Sequence, residues 1–311
     1  MLYSTSVKKS IGSMIGLAIG DALGAPVEFL KRGSFEPIKG YQKGGKFKLS
    51  KGDYTDDTAM ALCLADSLIK NNGCNLYHQL DNYIKWLNEG YMSSTGKSVG
   101  CGKNTYLSLL KYIRTGEDKC GNSRMKKRAG NGSLMRIAPV AIFYKNNIYK
   151  AMYTANESSY TTHGLKICAD ACMLYTGLIV GLLNGATKEE ILSEESANYF
   201  LHNVLESYEF DEVISSIIIG SYKDKDINSI KSGGYVADSL EAALWCFYNT
   251  ENFTDGVFKA VNLGYDSDTV GAIYGMIAGA YYGLDGIDMT LRNELTNHKF
   301  IEQIAIELSN D

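Results

Sequence analysis

Two short segments carry the residue types that hold divalent cations. Tyr54-Thr55-Asp56-Asp57-Thr58-Ala59 and, far downstream, Tyr265-Asp266-Ser267-Asp268-Thr269-Val270 each place two carboxylates and two or more hydroxyls ahead of an apolar run. Taken singly, either segment is an ordinary helix N-cap, with Asp and Thr oxygens accepting the free N–H groups of the first turn. Taken together they suggest more, because carboxylates that converge in one site repel each other unless a cation sits between them. Oxygen donors without a His or Cys cluster suit Mg²⁺, Mn²⁺ or Ca²⁺ and not Zn²⁺. The four histidines, His78, His163, His202 and His298, are dispersed without zinc spacing. If the two segments converge they make a two-metal site. Spacing alone leaves that reading and two independent caps equally open.

Glu28 is a third acidic candidate, in the apolar stretch Gly24-Ala25-Pro26-Val27-Glu28-Phe29. An acid there either finds a partner or has its pKa raised; the plainer reading is a single salt bridge or an exposed turn. Gly130-Asn131-Gly132-Ser133 precedes apolar residues and could present backbone N–H groups to a phosphate, or form an ordinary turn. Arg124, Lys126, Lys127 and Arg128 just upstream are most simply a solvated basic loop. His163 stands alone, which favours a structural hydrogen bond over catalysis. There is no P-loop, GxGxxG fingerprint or Ser-His-Asp elbow.

Helices must position these residues. Strand signals are sparse, and helical periodicity marks residues 58–70, 76–90, 165–183, 188–205, 236–249, 253–262 and 269–283. Loops rich in Gly, Lys and Ser fall at 31–53, 91–104 and 115–133. No long Pro/Ser-rich linker divides the chain, so residues 1–311 are expected to form one all-α domain. The 311 residues include 32 glycines but only 3 prolines, which excludes collagen and Gly/Pro linkers. The glycines recur every four residues at Gly12, Gly16, Gly20 and Gly24, at Gly177, Gly181 and Gly185, and at Gly271, Gly275, Gly279 and Gly283. Residues four apart form one helix ridge, and a glycine ridge admits a neighbouring helix at very close range. Two of the ridges adjoin Glu28 and the 266–269 cluster, so close packing is expected to bring the distant acids together.

The net charge of −4 gives no general field for nucleic acid or an anionic membrane. Seven cysteines without CxxC pairs suit reduced thiols and a cytoplasmic protein. Lys8-Lys9 followed by the apolar run 11–19 has the outline of a signal peptide, but the run is short and Gly20-Asp21 follows at once, which argues against one. The apolar runs 171–183 and 270–284 are too short to span a membrane and are expected to be buried.

In order along the chain, GLAIGDALGAPVEF (16–29), YTDDTAM (54–60), GYMSSTG (90–96), GNGSLMRIAPV (130–140), THG (162–164) and LGYDSDTVGAIYGMIAGAYYG (263–283) resemble the ADP-ribosylglycohydrolase family. The resemblance implies a compact orthogonal helical bundle with a binuclear Mg²⁺ or Mn²⁺ centre. It implies cleavage of the bond between C1″ of ADP-ribose and its acceptor, with an ADP-ribosylated protein or other acceptor as partner and ADP-ribose as product. By the same likeness Thr55, Asp56, Asp57, Asp266, Asp268 and Thr269 would hold metal. Glu28 would be the acid/base or water-orienting carboxylate, with Asp56 and Asp268 the central ligands. Asn131, Gly132 and Ser133 would cradle the diphosphate, and His163 and Tyr235 would line the ligand cleft. Gly100 stands where arginine-acting members carry an aspartate, and no carboxylate lies between Glu89 and Glu117. The acceptor therefore stays open among arginine, serine, a nucleic-acid end and a free ester. The alternative is a non-enzymatic ADP-ribose binder or a structural, crystallin-like relative; the intact acidic clusters favour an enzyme. The expected state is a monomer.

Overall fold

The computed structural model describes residues 3–202 and 208–309. Fifteen α-helices and no strands occur among them. In chain order they are α1 (Thr5–Gly24), α2 (Asp56–Asn71), α3 (Leu76–Glu89), α4 (Lys103–Thr115), α5 (Ala138–Phe143), α6 (Ile148–Tyr160), α7 (Lys166–Leu183), α8 (Lys188–Ile191), α9 (Glu194–His202), α10 (Glu212–Ile218), α11 (Val236–Tyr248), α12 (Phe253–Val261), α13 (Ser267–Tyr282), α14 (Met289–Glu294) and α15 (His298–Ser309). The all-α expectation holds, and one continuous hydrophobic core runs from α1 to α15.

The centre of that core is the antiparallel pair α1 and α13. A Cβ placed on Gly12 would strike the Gly279 carbonyl, one on Gly16 that of Gly275, and one on Gly20 that of Gly271. At the far end, a Cβ on Gly24 would strike the backbone of Ser267 and Asp268. The two glycine ridges therefore face each other in register, and backbone touches backbone along four turns. Ser13 Oγ adds a hydrogen bond to the Met276 carbonyl at 2.9 Å, and Ser267 Oγ one to the Gly24 carbonyl at 2.9 Å. Each helix interior glycine costs roughly 0.5–1 kcal/mol relative to alanine, so the ridges persist only because the contact offsets that cost. The third series behaves differently. A Cβ on Gly177 would meet Phe200 and Met152 side chains, and one on Gly181 would meet Ile191, so this series makes room for side chains instead of a helix backbone.

Helices α1 and α7 are apolar and long enough to cross a bilayer, yet 94% and 83% of their most apolar windows are buried inside the fold. Their apolarity serves the core, as expected for the run 171–183.

The periodic segments appear where expected at α2, α3, α7, α11, α12 and α13, within one or two residues. The single helix expected over 188–205 is instead α8 and α9, with residues 203–207 outside the described ones. Helices α4 and α6 were not marked by periodicity, for a shared physical reason. Their outer faces carry large apolar residues, such as Ile113, Tyr149 and Tyr153, while Thr105, Ser108, Thr154, Ser158 and Ser159 point inward. Apolar spacing then no longer reports the buried face.

Gly16→Ala and Gly275→Ala should each lower stability by about 1–3 kcal/mol or more, although alanine is the better helix former, because the methyl has no space. Denaturant midpoints measure this; unchanged midpoints would show that the two helices can separate freely.

Candidate active site

The close α1–α13 contact fixes where the acids meet. The C-terminal end of α1 lies against the N-terminal end of α13, so Glu28, four residues past α1, comes beside Asp266 and Asp268. Ligand oxygens of Glu28, Asp266 and Asp268 lie within 4.8 Å of one another, and so do those of Asp21, Asp57 and Asp268. The two acidic segments read from the sequence do converge, with Asp268 common to both groups.

Asp21, which motif reading passed over as a candidate, anchors the second side. It is fully buried on α1. Its Oδ1 accepts from the Thr55 backbone N–H at 2.9 Å and from Thr55 Oγ1 at 2.8 Å. Its Oδ2 accepts from the Thr58 N–H at 3.0 Å and from Thr58 Oγ1 at 2.7 Å. Asp21 thus caps α2 from another helix and fixes the orientation of Thr55, Asp56 and Asp57. The signal available in the sequence was an acid in the middle of an apolar, glycine-ridged helix, where burial demands partners.

The carboxylates are held in a site that disfavours their charge. Asp56, Asp57 and Asp268 are pushed well above the usual carboxylate range, first by burial and then by their acidic neighbours. Asp266 and Asp21 are also raised by burial, against the opposing pull of the hydrogen bonds they accept. Glu28 is pushed up to about 8, by burial and then by Asp266. None of the six enters a salt bridge among the described residues. Glu28 Oε2 and Asp57 Oδ1 are buried with no hydrogen-bond partner. Orphaned carboxylate oxygens beside threonine hydroxyls are the donor set of a hard divalent cation, so the residues present fit one.

A cleft of about 650 Å³ opens over this centre. Glu28, Asp56, Asp266, Asp268 and Thr269 line its acidic end, and Thr55 and Asp57 lie beneath, buried. Gly130, Asn131, Gly132 and His163 line the wall beyond. Asn131 Nδ2 donates to Asp266 Oδ2 at 2.6 Å, which ties this loop to the acids. His163 is buried beside the loop, its Nδ1 2.9 Å from Thr162 Oγ1. Burial, then the nearby Arg136 guanidinium, lowers its pKa to about 3, so the ring is neutral near pH 7. A Cβ on Gly132 would lie 2.8 Å from His163 Cε1, so only glycine fits. Arg136 is wholly buried and donates to the Gly132 carbonyl at 3.0 Å and to Thr162 Oγ1 at 2.7 Å, bracing both loop and histidine.

Two expected contacts are placed elsewhere. Ser133 is buried against Ser159, 2.9 Å away, with its side chain off the cleft wall. Tyr235 bridges to Gly130 through its backbone and is 40% exposed; the neighbouring Gly234 lines the cleft instead. Conversely, Lys127 and Arg128 line the cleft where a solvated loop was expected, as do Lys46 and Lys103. Gly100 lies against the acids with φ +87°, and a Cβ there would sit 3.1 Å from Asp56 Cγ and collide with Oδ1. No aspartate can stand at this position without displacing Asp56.

Comparison with known proteins agrees with this geometry. The model of the ADP-ribosylglycohydrolase family matches residues 4–311. The chain is 34% identical to the ADP-ribosylarginine hydrolase Tri1 of Serratia proteamaculans (strain 568) over 98% of its own length and 80% of that protein's. It is 28% identical to the ADP-ribosyl-[dinitrogen reductase] glycohydrolase of Rhodospirillum rubrum, covering 90% of this chain and 87% of that protein. A solved structure described as an ADP-ribosylglycohydrolase-related protein complex superimposes with a TM-score of 0.85 at 34% identity, over 98% of each chain.

Two outcomes follow from the site. Without metal, the raised Glu28 pKa favours the protonated folded form. That contribution is complete below the ordinary value of 4.5 and is lost as pH rises towards about 8. The rise in Tm on adding millimolar Mg²⁺ or Mn²⁺ should therefore be larger at pH 8 than at pH 6, where protons compete; the opposite order would contradict cation binding by these acids. Gly100→Ala should weaken cation binding at least tenfold by displacing Asp56, read by the same melting assay.

Proposed function

Because the chain belongs to the ADP-ribosylglycohydrolase family, we propose that it is a divalent-cation-dependent hydrolase that removes ADP-ribose from arginine side chains by cleaving the bond at C1″. The observation that carries this reading is the set of six buried or half-buried carboxylates, none in a salt bridge among the described residues, at one end of a cleft whose other wall is basic and glycine-rich. The arginine acceptor is supported by the activity named for the 34% identical relative.

Thr55, Asp56, Asp57, Asp266, Asp268 and Thr269 would hold two cations, Mg²⁺ or Mn²⁺. Such ions, when bound, orient ribose hydroxyls and lower the pKa of a water molecule. The protein's own residues supply the rest. The diphosphate would lie along Gly130–Gly132, with Lys127 and Arg128 offering charge-assisted hydrogen bonds. Neutral His163 can accept or donate there without adding charge. At C1″, the bond to the acceptor nitrogen breaks while a water oxygen bonds to carbon, and positive charge develops on the ribose. Glu28, at the acidic end of the cleft, would face that charge and, as a carboxylate, would take the proton of the attacking water and return it to the departing nitrogen. Asp21 does not line the cleft and keeps Thr55 and Thr58 in place.

The seven cysteines are all free thiols, which supports a reducing compartment, and we place the enzyme in the cytoplasm. We further propose a monomer as the active unit.

Release of ADP-ribose from an arginine-modified protein should stop with a chelator and return on adding Mg²⁺ or Mn²⁺. Glu28→Gln and Asp268→Asn should each reduce turnover by roughly 10²–10⁴-fold. Full turnover in the presence of chelator would overturn the metal-dependent reading.

A further inference from the structure

Beside Glu28 the surface carries a feature that the fold does not require. Phe29 and Tyr265 both adopt left-handed backbone conformations, with φ of 68° and 59°, which is uncommon for bulky residues. They clasp each other: the Phe29 N–H donates to the Tyr265 carbonyl at 2.6 Å, and the Tyr265 N–H to the Leu30 carbonyl at 2.7 Å. Arg32 staples a third segment to the pair, donating to the carbonyls of Leu263 at 3.0 Å, of Ile230 at 2.7 Å, and of Ile227. The result is a fixed ridge of four apolar side chains turned to solvent: Phe29 is 55% exposed, Leu30 43%, Ile227 44% and Tyr265 44%. Backbone strain held at exposed aromatic positions gains nothing for the core, and such strain gathers where function needs it.

The chain segment that follows the ridge is basic. Residues 31–53 contain seven Lys and Arg against only Glu36 and Asp53, in a chain whose net charge is −4. None of these seven cations enters a salt bridge among the described residues. The loop reaches the ridge, with Lys46 Nζ 4.0 Å from the centre of the Phe29 ring. The ridge is also continuous with the cleft, since Phe29 lines it directly after Glu28 and Tyr265 precedes Asp266. If C1″ is cleaved at Glu28, the acceptor surface flanking the modified side chain has to rest on this rim.

We propose that the Phe29–Leu30–Ile227–Tyr265 ridge and the adjoining lysine loop form the docking surface for an ADP-ribosylated protein whose modified side chain sits in an acidic, partly apolar patch. This rests on the reaction assigned above. The aliphatic Leu30 and Ile227 side chains give nothing to a phosphate backbone, which favours protein over nucleic acid as the acceptor. The large exposed aromatics are the residue types that anchor protein interfaces, and the lysines supply electrostatic steering.

The test compares substrates on the full-length enzyme. The variants are Leu30→Glu/Ile227→Glu and Lys31→Glu/Lys43→Glu, all exposed positions outside the cleft, with folding checked by Tm. The probes are an acidic protein ADP-ribosylated on one surface arginine, free ADP-ribosylarginine, and an ADP-ribosylated DNA oligonucleotide. Each double variant should raise KM for the modified protein roughly tenfold and leave kcat and KM for free ADP-ribosylarginine unchanged. Binding to the Glu28→Gln enzyme gives a readout independent of turnover: the same changes on that background should weaken the modified protein tenfold and leave ADP-ribose affinity unaltered. Absence of any change, or an equal loss for protein and small ligand, would overturn the docking surface. So would tighter binding of the oligonucleotide that fails only on lysine reversal, or a dimer of the wild type that the apolar variant dissociates. Failure of the wild type to cleave free ADP-ribosylarginine would instead count against the assigned reaction, while the binding comparison would still decide the surface.

Discussion

The contact that everything else depends on is backbone against backbone between α1 and α13. Two four-glycine ridges in antiparallel register remove the side chains that would hold two helices at the usual separation of about 8–10 Å. The register does more than pack the core. It sets the last turn of α1 against the first turn of α13, so two chain segments more than 230 residues apart arrive at one point with their acids already facing. Asp21, projecting from the same helix, then recruits the start of α2 through the backbone N–H and hydroxyl groups of Thr55 and Thr58. Three helices thus share a single origin for the catalytic groups.

That origin is electrostatically expensive. Carboxylates crowded away from water lose hydration and repel one another, and the directions of their pKa shifts state this in terms of proton affinity. The rigidity of the glycine contact prevents the acids from moving apart to relieve the repulsion. A divalent cation, or a set of protons, is then the remaining way to balance the charge. The helix N-termini of α2 and α13 supply only partial positive charge and cannot substitute for it. The neutral histidine, the braced Gly130–Gly132 loop and the basic residues of the opposite wall complete a cleft that is acidic at one end and suited to an anion along its length.

Some of this was legible in the sequence because short-range patterns carry it. The i,i+4 glycines, the paired Asp-Thr segments and the GNGS loop each depend on residues within one or two turns, and the structure brings all three to one site. Other features were hidden because their cause is long-range. Asp21 looks like a stray charge in an apolar helix until Thr55 and Thr58 are placed over it. Lys127 and Arg128 look like a solvated loop until the cleft is folded beneath them. Ser133 and Tyr235, adjacent in sequence to residues on the wall, turn into the core and out to solvent, since neighbours in a turn point in different directions. Helices α4 and α6 escaped periodicity because small polar residues share their buried faces with the apolar ones, while other large apolar residues stand on their outer faces.

By itself the sequence determined the helical class, the candidate acids and the presence of glycine ridges, because these follow from residue type and local spacing. Only the tertiary structure decided that the first and last ridges face each other and that the third makes room for side chains, because the sequence does not say what a ridge will meet. It likewise decided that a side chain at Gly100 would displace Asp56. The absence of a side chain there could be seen in the sequence, but its reason, the Asp56 carboxylate in the space a Cβ would occupy, exists only when α2 and the 97–102 segment are brought together in space.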